Sequence, residues 1–308
     1  MTTQKAIEYT AQDIDSGLRI DVALARAFPC YSRSNLQKVI KQKFCTVNGI
    51  PVSSSFLLTK GDTVRFTPIV TTQKEIKPQQ ISLSVIFEDE AILVINKPAG
   101  MVVHPAAGNW EDTVANAVLG RLSGTRLTRA GIVHRLDKDT SGIMIIAKNE
   151  AIQRRLEQAF KNREVEKRYL ALVWGRLKTK DGIIDAPIGR SKNDRKKMGI
   201  SPKGRVAITY FTVIREYKTK KGEIATLLTV SPKTGRTHQI RVHLKAMGNP
   251  VVGDKAYGRH SNIDKKLGRQ FLHAAEITVQ PGISKTAHFT APLAPELEHF
   301  LLSLSAIE

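Results

Sequence analysis

Beyond residue 80 the strand-like runs of this chain do not alternate regularly with its helix-like runs, which excludes a doubly wound parallel sheet. Residues 91–96 (AILVIN), 169–174 (YLALVW), 208–215 and 225–230 (ATLLTV) are rich in β-branched and apolar side chains, as strands are. Asn149 can cap a helix in which Ile152, Leu156, Ala159 and Phe160 share one face. Thr237 can cap another, with Ile240, Leu244 and Met247 on one face and Gly248 at its end. The expected fold class is α+β: a mixed, mostly antiparallel central sheet flanked by helices.

Residues 68–80 (PIVTTQKEIKPQQ) are polar, carry a proline near each end and follow neither structural period. They read as a linker between a small domain, 1–67, and a large one, 81–308. In the small domain residues 21–28 form a short helix closed by Pro29, and Ser32 caps a second one running to about Lys43. Leu36, Val39 and Ile40 make the buried stripe, while Arg33, Lys38 and Lys41 lie on more exposed faces. Asn48-Gly49 signals a turn, and residues 63–66 a last strand. The basic residues of the second helix either grip RNA phosphates or form a solvated face.

Charge narrows the choice of partner. The formal net charge is +20, a surplus that calls for a polyanion or a membrane surface. It is not spread evenly: residues 151–220 carry 19 Lys+Arg against 7 Asp+Glu, whereas residues 67–150 balance at 9 and 9. No apolar run approaches membrane-spanning length, which weakens the membrane reading. The most basic stretch, residues 190–205, reads as a phosphate-gripping loop through Arg190, Lys192, Arg195, Lys196, Lys197, Lys203 and Arg205. Only Cys30 and Cys45 occur, so no disulfide framework or cysteine metal site can be built, and both are expected reduced in a cytoplasmic protein.

Three segments carry candidate chemistry. Residues 131–148 (GIVHRLDKDTSGIMIIAK) place a polar turn between two apolar β-type runs. Asp137, Asp139 and Ser141 mimic the opening of a calcium loop, but position twelve is Lys148 and a β-run replaces the exiting helix, so calcium is rejected. Asp139 and Ser141 are expected to bond local backbone. Asp137 is either another turn residue or, with Arg135 nearby, an ion-paired catalytic carboxylate. In residues 234–243 (TGRTHQIRVH) Arg241 can fork onto a carboxylate elsewhere, or the basic helix, with Arg236 and His238 at its start, touches phosphate. His238 and His243 lack metal-site spacing. Tyr169 starts an apolar strand, as either a half-buried tyrosine or a flat ring for a base.

Taken together these motifs resemble the RluA/RluD family of pseudouridine synthases. The match rests on His134-Arg135-Leu136-Asp137 with the residues to Gly142, Lys167-Arg168-Tyr169, residues 234–243, Asn96-Lys97-Pro98-Ala99-Gly100 with His104-Pro105, and Gly253-Asp254-x-x-Tyr257-Gly258. It spans about residues 81–300 in order, and the N-terminal segment resembles a small α/β S4-like RNA-binding domain. The resemblance implies that Asp137 is the essential aspartate and Tyr169 the aromatic that packs on the target base. Arg241 would pair with the aspartate, and Arg135 would fill the gap an extruded uridine leaves. The implied reaction breaks the N1–C1′ bond, turns the uracil and rejoins it through C5, with no cofactor or metal. The implied substrate is 23S ribosomal RNA of the large subunit, closest to the RluD branch. Transfer-RNA uridines and a non-catalytic assembly factor stand as alternatives. The partner is RNA rather than a membrane, and the protein is expected to be a monomer.

Overall fold

The computed structural model describes residues 5–69, 75–106, 108–122, 127–191, 194, 197–259, 261–279, 283 and 287–307. The chain divides into two compact units, Met1–Glu75 and Ile76–Glu308.

The first unit packs two helices on a four-stranded sheet. Helices α1 (Ile20–Ala27) and α2 (Arg33–Lys41) bury Leu24, Leu36, Val39 and Ile40 against β2 (Cys45–Val47) and β4 (Thr63–Phe66), with β1 (Ile7–Thr10) and β3 (Ile50–Pro51) completing the order β1-β4-β2-β3. Ser32 Oγ accepts the Asn35 N–H at 3.2 Å and starts α2. Asn48 and Gly49, with φ of 49° and 82°, make the tight turn between β2 and β3. Asp21 is fully buried and takes Nε–H bonds from Arg19 (3.0 Å) and Arg33 (2.9 Å). Arg33 thus spends part of its guanidinium inside the unit, while Lys38 and Lys41 stay exposed.

The second unit is a mixed sheet of ten strands. β5 (Val85–Glu88) and β6 (Ile92–Lys97) lead through α3 (Val114–Arg121) to β7 (Ser141–Ala147), then α4 (Glu150–Asn162) and β8 (Glu166–Trp174). β9 (Asp181–Asp185), a small hairpin of β10 (Ile188–Arg190) and β11 (Met198–Ile200), and the long pair β12 (Ile208–Lys218) and β13 (Ile224–Pro232) follow. Helices α5 (Gln239–Ala246) and α6 (Asn262–Leu267), β14 (Leu272–Thr278), β15 (His288–Thr290), α7 (Pro295–Leu302) and β16 (Ser305–Ile307) finish the chain. The order is β16-β12-β13-β8-β14-β7-β6-β5, with β9 on β12 and β15 on β14. Among the described residues only β14 and β7 pair in parallel, so the sheet is mixed and mostly antiparallel.

β7 is the spine. All its residues are buried, as a continuous apolar run covered on both faces requires. Ile143, Ile145 and Ala147 face Leu156 and Ala159 of α4, while Met144 and Ile146 face Val114, Ala115 and Val118 of α3. Asn149 caps α4 through the Ile152 N–H at 2.9 Å. Gly142 has φ 116°, and a Cβ there would lie 2.2 Å from the Ala274 carbonyl oxygen of β14. Gly142→Ala is therefore expected to cost about 3 kcal/mol or more, seen as a lower urea midpoint. An unchanged midpoint would mean that the two backbones separate freely.

Two expectations need correction. Residues 76–80 are not free linker. The Gln79 N–H donates to the Asn116 carbonyl (3.0 Å), and Asn116 Nδ2 donates to the Lys77 carbonyl (2.8 Å), so the segment docks on α3. Polar bonds made by its backbone and by the Gln79 and Gln80 side chains hold it, and apolar periodicity carries no trace of those. Residues 190–205 are likewise not only a loop, since β11 pairs antiparallel with β10. No described helix is long and apolar enough to cross a membrane.

Candidate active site

Asp137 sits in a loop anchored on both sides. Leu136 is buried in the core beside α3. The Lys138 carbonyl accepts from Lys97 Nζ and from the Gly100 N–H, both at 3.0 Å. Lys97 is fully buried and also donates to the carbonyls of Pro98 (2.8 Å) and Met101 (3.0 Å), which together use all three hydrogens of an ammonium group. Burial, then the charge of Arg269, pushes its pKa down to about 7. His134 stacks on Phe160 with centroids 4.8 Å apart, and its Nε2 accepts the Ile145 N–H at 2.9 Å. Burial and Lys167 lower its pKa to about 3, so it stays a neutral acceptor.

The polar turn is present, closed by the Thr140 N–H donating to the Asp137 carbonyl at 3.1 Å, but it joins no regular hairpin, since before it only Ile132 pairs, through one bridge to Ile146. Ser141 does not bond local backbone. Its hydroxyl meets His273 Nδ1 (2.8 Å) and Arg269 Nη2 (2.9 Å), and Thr140 Oγ1 accepts from Gln270 (3.1 Å). The turn chemistry is used to tie the loop to the segment before β14.

Across the cleft α5 supplies Arg241. Its Nη1 donates to Asp137 Oδ2 at 2.9 Å, while Nε and Nη2 fork onto Asp254 at 2.6 and 2.8 Å. Asp254 is 1% exposed and also accepts the N–H groups of Ala256 and Tyr257. Burial would raise its pKa, but the Arg241 guanidinium wins and the carboxyl is held below its usual range. Thr237 does not cap α5. His238 takes that place in a left-handed conformation (φ 56°), and the Gln239 side chain closes the turn by accepting from the Arg236 N–H and the Thr234 hydroxyl.

Tyr257 Oη accepts the Met198 N–H at 2.9 Å and is hydrogen-bonded to His238 Nδ1, also at 2.9 Å. Burial lowers the His238 pKa. Its Nε2 lies 4.0 Å from Asp137 Oδ1. Tyr169, on β8 between Val230 and Ala274, joins the same cleft. Burial, then the charge of Asp137, raises its phenol pKa and keeps it neutral.

Asp137, Tyr169, Arg241, Arg135, Arg236 and His238 thus line one cleft of about 610 Å³. Arg190, Lys197, Lys203 and Arg205 do not line it and lie on or beside the β10–β11 hairpin. Lys192, Arg195 and Lys196 lie outside the described residues. Arg33, Lys38 and Lys41 belong to the first unit. Sequence reasoning missed the roles of Lys97, Asp254 and Tyr257. Each stands inside one of the family motifs, and those motifs were the available signal.

Residues 91–246 match the model of the RNA pseudouridylate synthase family, and residues 18–64 match that of the S4 domain. A ribosomal large subunit pseudouridine synthase D from Nitrosomonas europaea is 38% identical over 98% of this chain and 88% of its own length. An uncharacterized RNA pseudouridine synthase from Bacillus subtilis is 37% identical over 97% and 98%. Among solved structures, human RNA pseudouridylate synthase domain containing 1 superposes with a TM-score of 0.62 at 28% identity, over 74% of this chain and 90% of that one.

Proposed function

This chain belongs to the RNA pseudouridylate synthase family and carries an S4 domain, and on that footing we propose that Asp137 drives the isomerisation of uridines in large-subunit ribosomal RNA. One observation carries the assignment. Among the described residues of the cleft, Asp137 alone brings a carboxylate, and Arg241 fixes one of its oxygens while the side chain keeps an open edge. Such a carboxylate can attack C1′ as a nucleophile or remove the C2′ proton, and either route loosens the N1–C1′ bond.

The neighbours suit a base that has left its stack. Tyr169 offers a neutral ring, and Arg135 stands exposed on the loop two residues before Asp137. Extrusion costs roughly a few kcal/mol, and stacking on an aromatic ring returns about 1–3 kcal/mol. Reattachment through C5 conserves every atom of the uridine apart from exchange of the C5 hydrogen with water.

The choice of RNA is supported by the name of the Nitrosomonas relative and by its nearly full-length match. The test is tritium release from C5-labelled transcripts. The protein is expected to release label from 23S ribosomal RNA and not from a transfer-RNA pool. Release from transfer RNA alone would move the substrate and keep the chemistry. Release from neither would remove the substrate assignment.

A further inference from the structure

We propose that the wall of the cleft formed by the C-terminal end of α4 and the 128–131 turn is a subsite for backbone phosphates of the RNA strand that enters the site. The proposal rests on the reading of the cleft as an RNA site given above. Arg129, Lys161, Arg163, Lys167 and Lys233 all line this cleft. None of them forms an ion pair among the described residues. Other cations of this unit do find carboxylates: Arg121 and Lys148 share Glu88, Arg269 holds Glu296, and Arg241 holds two aspartates.

Like charges gathered on one wall repel each other, and a concave low-dielectric surface screens them poorly. Burial, and then the charge of Lys233, lower the Lys167 pKa. An anion in the cleft removes that penalty.

The backbone accepts a second cost to present these groups. Arg129 (φ 55°), Ala130 (φ 54°) and Gly131 (φ 72°) are three successive residues in the left-handed region. Arg163 takes the same conformation (φ 64°) at the C-cap of α4, where glycine is usual. The two arginines stand on one rigid frame. Gly131 presses on β7 so closely that a Cβ would lie 2.1 Å from the Ala147 carbonyl oxygen. Gln153 of α4 donates to both the carbonyl (3.1 Å) and the hydroxyl (3.0 Å) of Thr128.

The charge also continues toward the reacting residues. His104 is held down to about 4 by burial and by the joint charges of Arg129 and Arg135. A strand whose uridine faces Asp137 therefore has its neighbouring phosphates against this wall. Such contacts read no base, but they set the register and so decide which nucleotide meets the carboxylate.

Arg163→Gly gives a direct test, because it removes a cation while supplying the residue a left-handed cap prefers. The full-length protein is titrated with a fluorescein-labelled RNA stem-loop containing uridines, over a range of salt concentrations. Arg163→Gly is expected to melt no lower than the parent and to bind this RNA several-fold more weakly. The double variant Lys161→Gln/Arg163→Gly should flatten the slope of log affinity against log salt by about 1–2, since each phosphate left without its cation lowers the slope by roughly 0.7–0.9. Lys220→Gln/Lys221→Gln, on the exposed β12–β13 turn, removes the same two charges elsewhere and should leave the slope near the parent's. A Lys161→Gln/Arg163→Gly variant that matches this control in affinity and slope overturns the subsite. Binding rather than turnover is read, so that failure would leave the role of Asp137 standing. Failure of the Asp137 assignment would equally leave this result intact.

Discussion

Asp137→Ala is expected to cut tritium release from C5-labelled RNA by about 10⁴-fold or more, with RNA affinity close to the parent's. The size of the effect follows from the isolation of the group. No other described residue lining the cleft carries a carboxylate, and Asp254 lies sealed behind Arg241, 1% exposed. No neighbouring carboxylate can take over as nucleophile or base. Asp137→Asn sharpens the comparison, because the amide keeps the shape and can still accept from Arg241 while losing the charge. A loss of similar size in both variants assigns the effect to the ionised oxygen pair.

Affinity responds differently because the other charged side chains that line the cleft are cationic. Removing one negative charge there cannot weaken phosphate contacts. The fold should also hold. Asp137 keeps part of its side chain in solvent, and in its absence Arg241 still has its two-pronged bond to Asp254. A stability loss of about 1 kcal/mol is expected, the usual scale for a partly exposed group. Full turnover in Asp137→Ala would remove the assignment at this site.

The spine of the fold was legible, for physical reasons. The apolar run of β7 and the capped, amphipathic α4 are specified by side chains close together in sequence, and periodicity reads those directly. Helix α3 escaped because its capping pair, Thr113 and Asn116, lacks the Glu or Gln that marks the motif. The start of α5 was misplaced for a similar reason. A left-handed histidine and a glutamine side chain do the work expected of Thr237.

The site was legible only in part. Asp137 and Arg241 are 104 residues apart, and no local pattern announces that they meet. Their pairing came from the family resemblance, which named motifs but gave no role to Lys97, Asp254 or Tyr257. Those side chains act through the backbone carbonyl of Lys138, the guanidinium of Arg241 and the ring of His238. Contacts of that kind exist only once the sheet has brought distant loops together.

The Asp137–Arg241–Asp254 chain supports a second large effect, one in which stability and activity separate. Arg241→Met leaves the Asp254 carboxylate buried with only the N–H groups of Ala256 and Tyr257 to face it. Breaking a buried pair from one side typically costs about 3–5 kcal/mol, so a large drop in the urea midpoint is expected. Activity should fall as well, because Asp137 loses the bond that orients it, and a displacement of about 1 Å can cost roughly a hundredfold. Arg241→Lys keeps the charge but cannot serve both aspartates, since a single ammonium lacks the fork that spans them. It should retain most of the stability and still lose about a hundredfold in turnover. Pairing Arg241→Met with Asp254→Asn removes the stranded charge, and the midpoint should recover while turnover does not. Urea unfolding and tritium release on the four proteins decide the matter. If Arg241→Met unfolds at the parent's midpoint, the buried fork is not what holds this corner of the cleft. If the paired variant regains turnover, Asp137 needs no guanidinium to stay in place.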